Sequence, residues 1–249
     1  MKFQRDSTVI AGILVLLITG QGLKAQTPTP TPRGQNFSLA RKLLKEGSST
    51  LDEGPLLQAR DVFEPCANTV TGRFDCCYQL AQTYLFLSRS QELKGHRDQA
   101  KKLVDIGIQA AQKAVLMKDQ SADAHALLDR LYETKLSYGD IFTGMAIGPK
   151  VDGENKKALA LDPDNAQVQL AAGVKYVMAP PIGGGDVKKG IATLEKALEL
   201  DPKMDEAYYW LAKAYRKQND RVNFKKALDS ALQMNPGNAM AKKEQERWR

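Results

Sequence analysis

The 249-residue sequence is poor in the groups that most active sites need. It has two histidines, His96 and His125, and three cysteines, Cys66, Cys76 and Cys77. The two imidazoles lie in separate stretches and form no HExxH pair, and adjacent cysteines do not give tetrahedral ligand spacing, so no metal site is expected. There is no Ser/His/Asp arrangement and no phosphate-binding G-x-x-x-x-G-K-[ST] loop, and the carboxylates are scattered along helical surfaces. No base lies near a cysteine, which argues against a catalytic thiol. The chain therefore reads as a non-enzyme without a cofactor, and both histidines read as solvated surface residues. Aromatics are only 7% of the chain, which suits helices packed through small side chains. No apolar run is long enough for an ordinary membrane-spanning helix. The formal charge of +7 comes without a dense Lys/Arg run interleaved with aromatics, so nucleic acid is not an expected partner.

The amino-terminal stretch has a clear pattern. Lys2 and Arg5 precede an apolar run from Val9 to Ile18, and Leu23-Lys24-Ala25 follows. A basic start, an apolar middle and a small final residue make a secretory signal over residues 1–25, cut after Ala25, with an uncleaved membrane anchor as the alternative. No cysteine follows the run to mark a lipoprotein. Residues 26–36, QTPTPTPRGQN, alternate Thr and Pro and read as a disordered tether, because such a segment cannot build a packed core. The expected location is periplasmic or secreted. In an oxidising compartment Cys66 can pair with Cys76 or with Cys77, which leaves one thiol over.

Residues 37–249 carry an internal repeat. Its most regular copy is 204–238, MDEAYYWLAKAYRKQNDRVNFKKALDSALQMNPGN. Ala207, Leu211 and Tyr215 share one helical face, Phe224, Leu228 and Ala231 share another, Asn219-Asp220 turns the chain and Pro236 stops it. Less regular copies occupy about 37–74, 75–120, 121–165 and 166–203, and residues 239–249 form a polar capping helix with Trp248 laid back on the fifth unit. One pair cannot bury its apolar face alone, so the pairs must stack. Three departures stand out. The second helix of unit two is long and proline-free from Arg97 to Leu116. In unit three the stretch YGDIFTGMAIGPKVDG delays the second helix, as an inserted helical turn or a partner-contacting loop. In unit four APPIGGGD lengthens the turn, with Asp186 as the cap of a helix beginning at Val187. A glycine-rich loop before a helix can hold an anion, but no strand precedes this one, and a shaped turn explains it better.

The helix ends ALALDPDN, ALELDPK and ALQMNPGN, with Leu211/Ala212/Tyr215 and Phe224/Leu228/Ala231, resemble the tetratricopeptide repeat (TPR) family. More narrowly, YVMAPPIGGGDVKKGIATLEKALELDP looks like the T-component proteins of periplasmic TRAP transporters. The resemblance implies an all-α, right-handed solenoid of about five helix pairs plus a cap. It also implies a scaffold that binds another envelope or secreted protein along the groove lined by first helices. Mapped onto this chain, that concave face comprises Tyr78, Gln82, Arg130, Tyr209, Lys213, Arg216 and Lys217. The last three stand three and four residues apart on one face and suit capture of acidic groups. Unit four presents Leu170, Val174, Val177 and Met178 there instead, so the groove is not uniformly charged. The narrower resemblance implies an alternative: a transport accessory protein holding a small apolar or amphipathic ligand beside a periplasmic solute-binding protein.

Overall fold

The structure is a computed structural model that describes residues 32–69 and 73–247. The signal segment, the first part of the tether and Trp248 lie outside the described residues. Eleven α-helices and one 3₁₀ turn follow one another, and no strand occurs among the described residues. The helices are α1 (Pro32–Thr50), α2 (Glu53–Ala67), α3 (Phe74–Leu93), α4 (Arg97–Met117), α5 (Ala122–Ser137) and α6 (Ile141–Leu161). They continue as α7 (Ala166–Met178), α8 (Val187–Leu200), α9 (Asp205–Lys217), α10 (Arg221–Met234) and α11 (Ala239–Arg247). They form five stacked antiparallel pairs and a terminal helix, an α-solenoid.

Local chemistry sets the pair boundaries. The second helix of four pairs is capped by an aspartate whose side chain accepts a backbone N–H: Asp52 from Gly54, Asp140 from Thr143, Asp186 from Lys189 and Asp220 from Asn223. The turns within pairs one, two, four and five each contain a left-handed residue: Leu51, Gly95, Gly184 and Asn219. Between pairs, prolines one residue beyond the carboxy-terminal caps Asp162, Asp201 and Asn235 prevent the preceding helices from continuing. Small side chains fill the contacts between helices, with Ala59, Ala81, Ala100, Ala171, Ala197, Ala207 and Ala231 fully buried.

Two expectations change. The unit-three stretch is neither a loop nor a single turn, because α6 runs unbroken from Ile141 through it to Leu161. Asp140 caps its start at 2.9 Å from Thr143 N. Pro149 within it frees only the carbonyl of Met145, a residue exposed to water that can hydrogen-bond the carbonyl. At the other end, α1 is already helical at Pro32 rather than from Phe37 and takes in the end of the expected tether. The turn between α1 and α2 is confined to Leu51 and Asp52, since Asp52 caps a helix that already includes Gly54 and Pro55.

Candidate functional site

The first helices of the pairs form the inner layer, and the layer closes. Asn235, at the end of α10, donates its side-chain N–H to the Ser49 carbonyl of α1 at 2.8 Å. Lys243 of α11 donates to the Leu93 carbonyl of α3 at 2.8 Å. Arg89 of α3 meets Glu206 of α9 at 2.7 Å, and Arg130 of α5 pairs with the same carboxylate oxygen. The last pair thus touches the first two, and the concave side is an interior. It contains two cavities of about 440 and 270 Å³, which share Arg89, Arg130, Tyr209, Trp210 and Met240 as walls.

This geometry relocates the candidate residues. Arg130 and Tyr209 are buried, at 7% and 5% exposure. Tyr209 packs edge-on against Trp210 with ring centres 5.4 Å apart, and burial raises its phenol above the ordinary value. Tyr78 is half-buried, its phenol raised by the same cause, and it accepts a hydrogen bond from Gln82 at 3.2 Å. The basic trio is not free for a partner. Arg216 pairs with Glu244 of the capping helix, Lys213 lies 3.9 Å from the same carboxylate, and Lys217 donates to the Val177 carbonyl. Burial lowers the Lys213 ammonium below its ordinary value. Within the chain, Glu244 of the terminal helix is the acidic group that meets Lys213 and Arg216. In unit four, Leu170, Val174 and Val177 belong to the core, and Val174 and Met178 also line the smaller cavity.

Several residues of this interior were not singled out from sequence: Arg89, Glu133, Glu206 and Glu244. A signal existed for Glu206, which stands three, four and seven residues before Tyr209, Trp210 and Lys213, on one helical face. Its burial is offset by Arg130 and Arg89, which hold its carboxyl at about 2. On α5, Asp129 accepts from the Asn155 amide at 2.9 Å, and Glu133, one turn on, has no hydrogen-bond partner on either oxygen.

The histidines divide. His96 is exposed, with Nδ1 2.8 Å from the Gln91 side-chain oxygen. His125 is buried, which corrects its reading as a solvated residue: Nδ1 lies 2.5 Å from Glu154 and Nε2 2.9 Å from the Asp119 carbonyl. These contacts tie α5 to α6 and give His125 a structural place. Of the two cysteine pairings left open, the structure contains Cys66–Cys76, and Cys77 is a buried thiol. No cluster of three or more His, Cys, Asp or Glu side chains among the described residues is arranged to hold a metal.

The architecture has a clear counterpart among solved structures. TTC0263, a thermophilic TPR protein of Thermus thermophilus, matches with a TM-score of 0.60 and 19% identity over 82% of this chain and 96% of its own. The chain has a TPR-like helical-repeat fold. YrrB, a TPR protein with an unusual peptide-binding site, gives a TM-score of 0.42 at 13% identity over 83% of this chain and 97% of its own. MamA gives 0.41 at 18% identity over 78% and 96%. Residues 148–243 of the repeat protein match the sequence model of a family described as TRAP transporter T-component. That segment runs from within α6 into α11 and contains the APPIGGGD turn, Glu206 and Lys213. No curated protein matches the chain in sequence.

Proposed function

We propose that the protein is an exported, non-enzymatic helical-repeat scaffold that binds another protein of the cell envelope, as an accessory component of a TRAP-type transporter. The match of residues 148–243 to the T-component family carries this role. The contact surface is the outside of the solenoid, because Arg130, Lys213 and Arg216 are engaged within the ring. Ile141, Phe142 and Met145 at the start of α6 are 74%, 75% and 72% exposed, more apolar surface than one turn of a helix ordinarily leaves to water. The partner is the solute-binding or permease subunit of such a transporter. The test is a photo-crosslinking residue at position 142 in cells that express the transporter. Capture of one of those subunits, lost in Met145→Asp and retained in Lys213→Glu, supports the role. Capture of neither subunit overturns it.

The interior supports a second role, retention of a small amphipathic ligand. Charged side chains there alternate with Tyr209, Trp210, Met240 and Val174 around two clefts that open to solvent. Native mass spectrometry that finds no retained ligand, together with no saturable binding by the purified protein, removes this role.

A further inference from the structure

In every pair the second helix starts where the first ends, so the turns within pairs share one edge of the solenoid and the connections between pairs share the other. Contacts between pairs keep this order. Arg97 at the start of α4 donates to the Ser137 carbonyl at the end of α5 at 2.9 Å, and Lys217 at the end of α9 donates to the Val177 carbonyl at the end of α7. The two edges differ in chemistry. The connections between pairs carry the exposed acids Asp119, Asp162 and Asp164. The turns within pairs three to five carry apolar side chains instead. Ile182 is 98% exposed at the tip of the APPIGGGD turn, and Val222 is 79% exposed at the start of α10. Ile141 and Phe142 stand on the same edge at the start of α6.

Backbone bonds hold Ile182 outward. Asp186 donates its N–H to the Tyr176 carbonyl at 2.9 Å and Gly185 to the Pro180 carbonyl at 3.0 Å, which closes the turn beneath it. Apolar side chains gathered along one edge mark a contact surface. They stand on successive second helices, so they are separate tips rather than one continuous patch, which suits a soft surface that each tip enters by itself. Charge adds to this. Lys188 and Lys189 follow the turn directly and are exposed, and the Lys189 ammonium lies 4.3 Å from the centre of the Tyr176 ring. The acids in these three turns, Asp140, Asp186 and Asp220, are helix caps. Each accepts a backbone N–H at a helix start, whose partial positive charge offsets it. Apolar tips, a tyrosine and lysines at one level match acyl chains, headgroup boundary and phosphates in turn.

We propose that this edge docks on an anionic phospholipid bilayer, with Ile182 and Val222 entering the acyl boundary and Lys188 and Lys189 at the lipid phosphates. The contact is peripheral, since no described helix is long and apolar enough to cross a membrane. It goes beyond the scaffold role, and it places Ile141 and Phe142, the transporter contact, at the membrane surface.

Flotation of the full chain with phosphatidylcholine vesicles, with and without phosphatidylglycerol, tests it. An environment-sensitive fluorophore is placed on Ile182→Cys or, on the acidic edge, on Leu116→Cys, where the native leucine is 85% exposed. The only free thiol of the parent among the described residues, Cys77, is buried away from the label. The chain should float far better with phosphatidylglycerol, and salt should weaken the binding. The label at 182 should shift to the blue on binding, and the label at 116 should not. Lys188→Glu/Lys189→Glu should weaken binding at least about tenfold, since each lysine near an anionic surface is worth roughly fivefold. Both lysines are exposed, so this variant should keep its helical circular dichroism. The proposal is overturned if the chain ignores anionic vesicles, if the lysine variant binds as well as the parent, or if the label at 116 shifts in place of the one at 182. A blue shift at 182 that grows with protein concentration in the absence of vesicles would assign the edge to a second copy and overturn it too. No transporter subunit is present, so these outcomes leave that partnership to its own test.

Discussion

Arg130 and Glu206, 76 residues apart in the chain, meet as an ion pair at the centre of the solenoid, with Arg89 on the same carboxylate oxygen at 2.7 Å. Glu206→Gln keeps the shape of the acid but leaves two guanidiniums in the interior without a counter-charge. It should lower unfolding free energy by about 3 kcal/mol in urea denaturation, as breaking buried pairs from one side does. Arg89→Ala should cost less, because Arg130 retains Glu206. Equal losses for the two substitutions would show that the carboxylate is not the shared element.

Stability should peak in mildly acidic solution. Glu206 is ionised in the fold down to about 2, against 4.5 ordinarily, so the stability it adds is present above pH 4.5 and is lost as pH falls toward 2. Asp129 and Glu133 act oppositely. Burial raises Asp129 to about 7 from 3.8 and raises Glu133 well above 4.5, so the fold holds protons that the unfolded chain has released. Stability should therefore fall as pH rises from about 4.5 toward 7. Thermal melts across this range check both limbs. Glu206→Gln should flatten the acid limb. Glu133→Gln should make the other limb shallower, leaving Asp129 to titrate there, and raise stability at neutral pH.

Glycines in α7 and α8 mark where these helices touch. A Cβ on Gly173 would stand 2.6 Å from Leu194 Cγ, and one on Gly190 2.7 Å from Val177 Cγ2 and 3.2 Å from Val177 N. Gly190→Ala should destabilise by about 2 kcal/mol, overpacking exceeding the ~1 kcal/mol gain in helix propensity. Gly153→Ala in α6, where an added Cβ meets nothing within 4 Å, should instead stabilise by up to about 1 kcal/mol. Chemical denaturation of the two variants side by side distinguishes contact from propensity.

Reduction of Cys66–Cys76 should lower stability by about 3 kcal/mol, from the entropy regained by an unfolded chain freed of a short loop. Melting with and without reductant measures it, and a Cys66→Ala/Cys76→Ala variant should lose the difference.

The repeat pattern was legible because helix spacing, aspartate caps and interpair prolines are local. Asp186 at the start of α8 and Asn219-Asp220 before α10 are examples, each fixed by residues within one turn. Misreadings arose where distant contacts decide. Lys213 and Arg216 look like a free basic face within α9, and only the return of α11 brings Glu244 against them. His125 has the look of a surface residue until α6 supplies Glu154. In α6 the sequence contains three glycines and a proline, which suggest a loop, yet tertiary context and the Asp140 cap override their low propensity.

The closure through Asn235, Lys243 and Arg89 bears on how the chain unfolds. An open stack of repeats can fray from either end, since each unit answers only to its neighbours. Here the terminal units answer to one another, across 186 residues for Asn235 and Ser49. Peeling away one pair removes contacts at both of its sides, so partial opening gains less chain freedom for more lost contact. The molecule should behave as a single cooperative unit, and hydrogen exchange in α1 and α11 should report nearly the same opening free energy as the centre of the array.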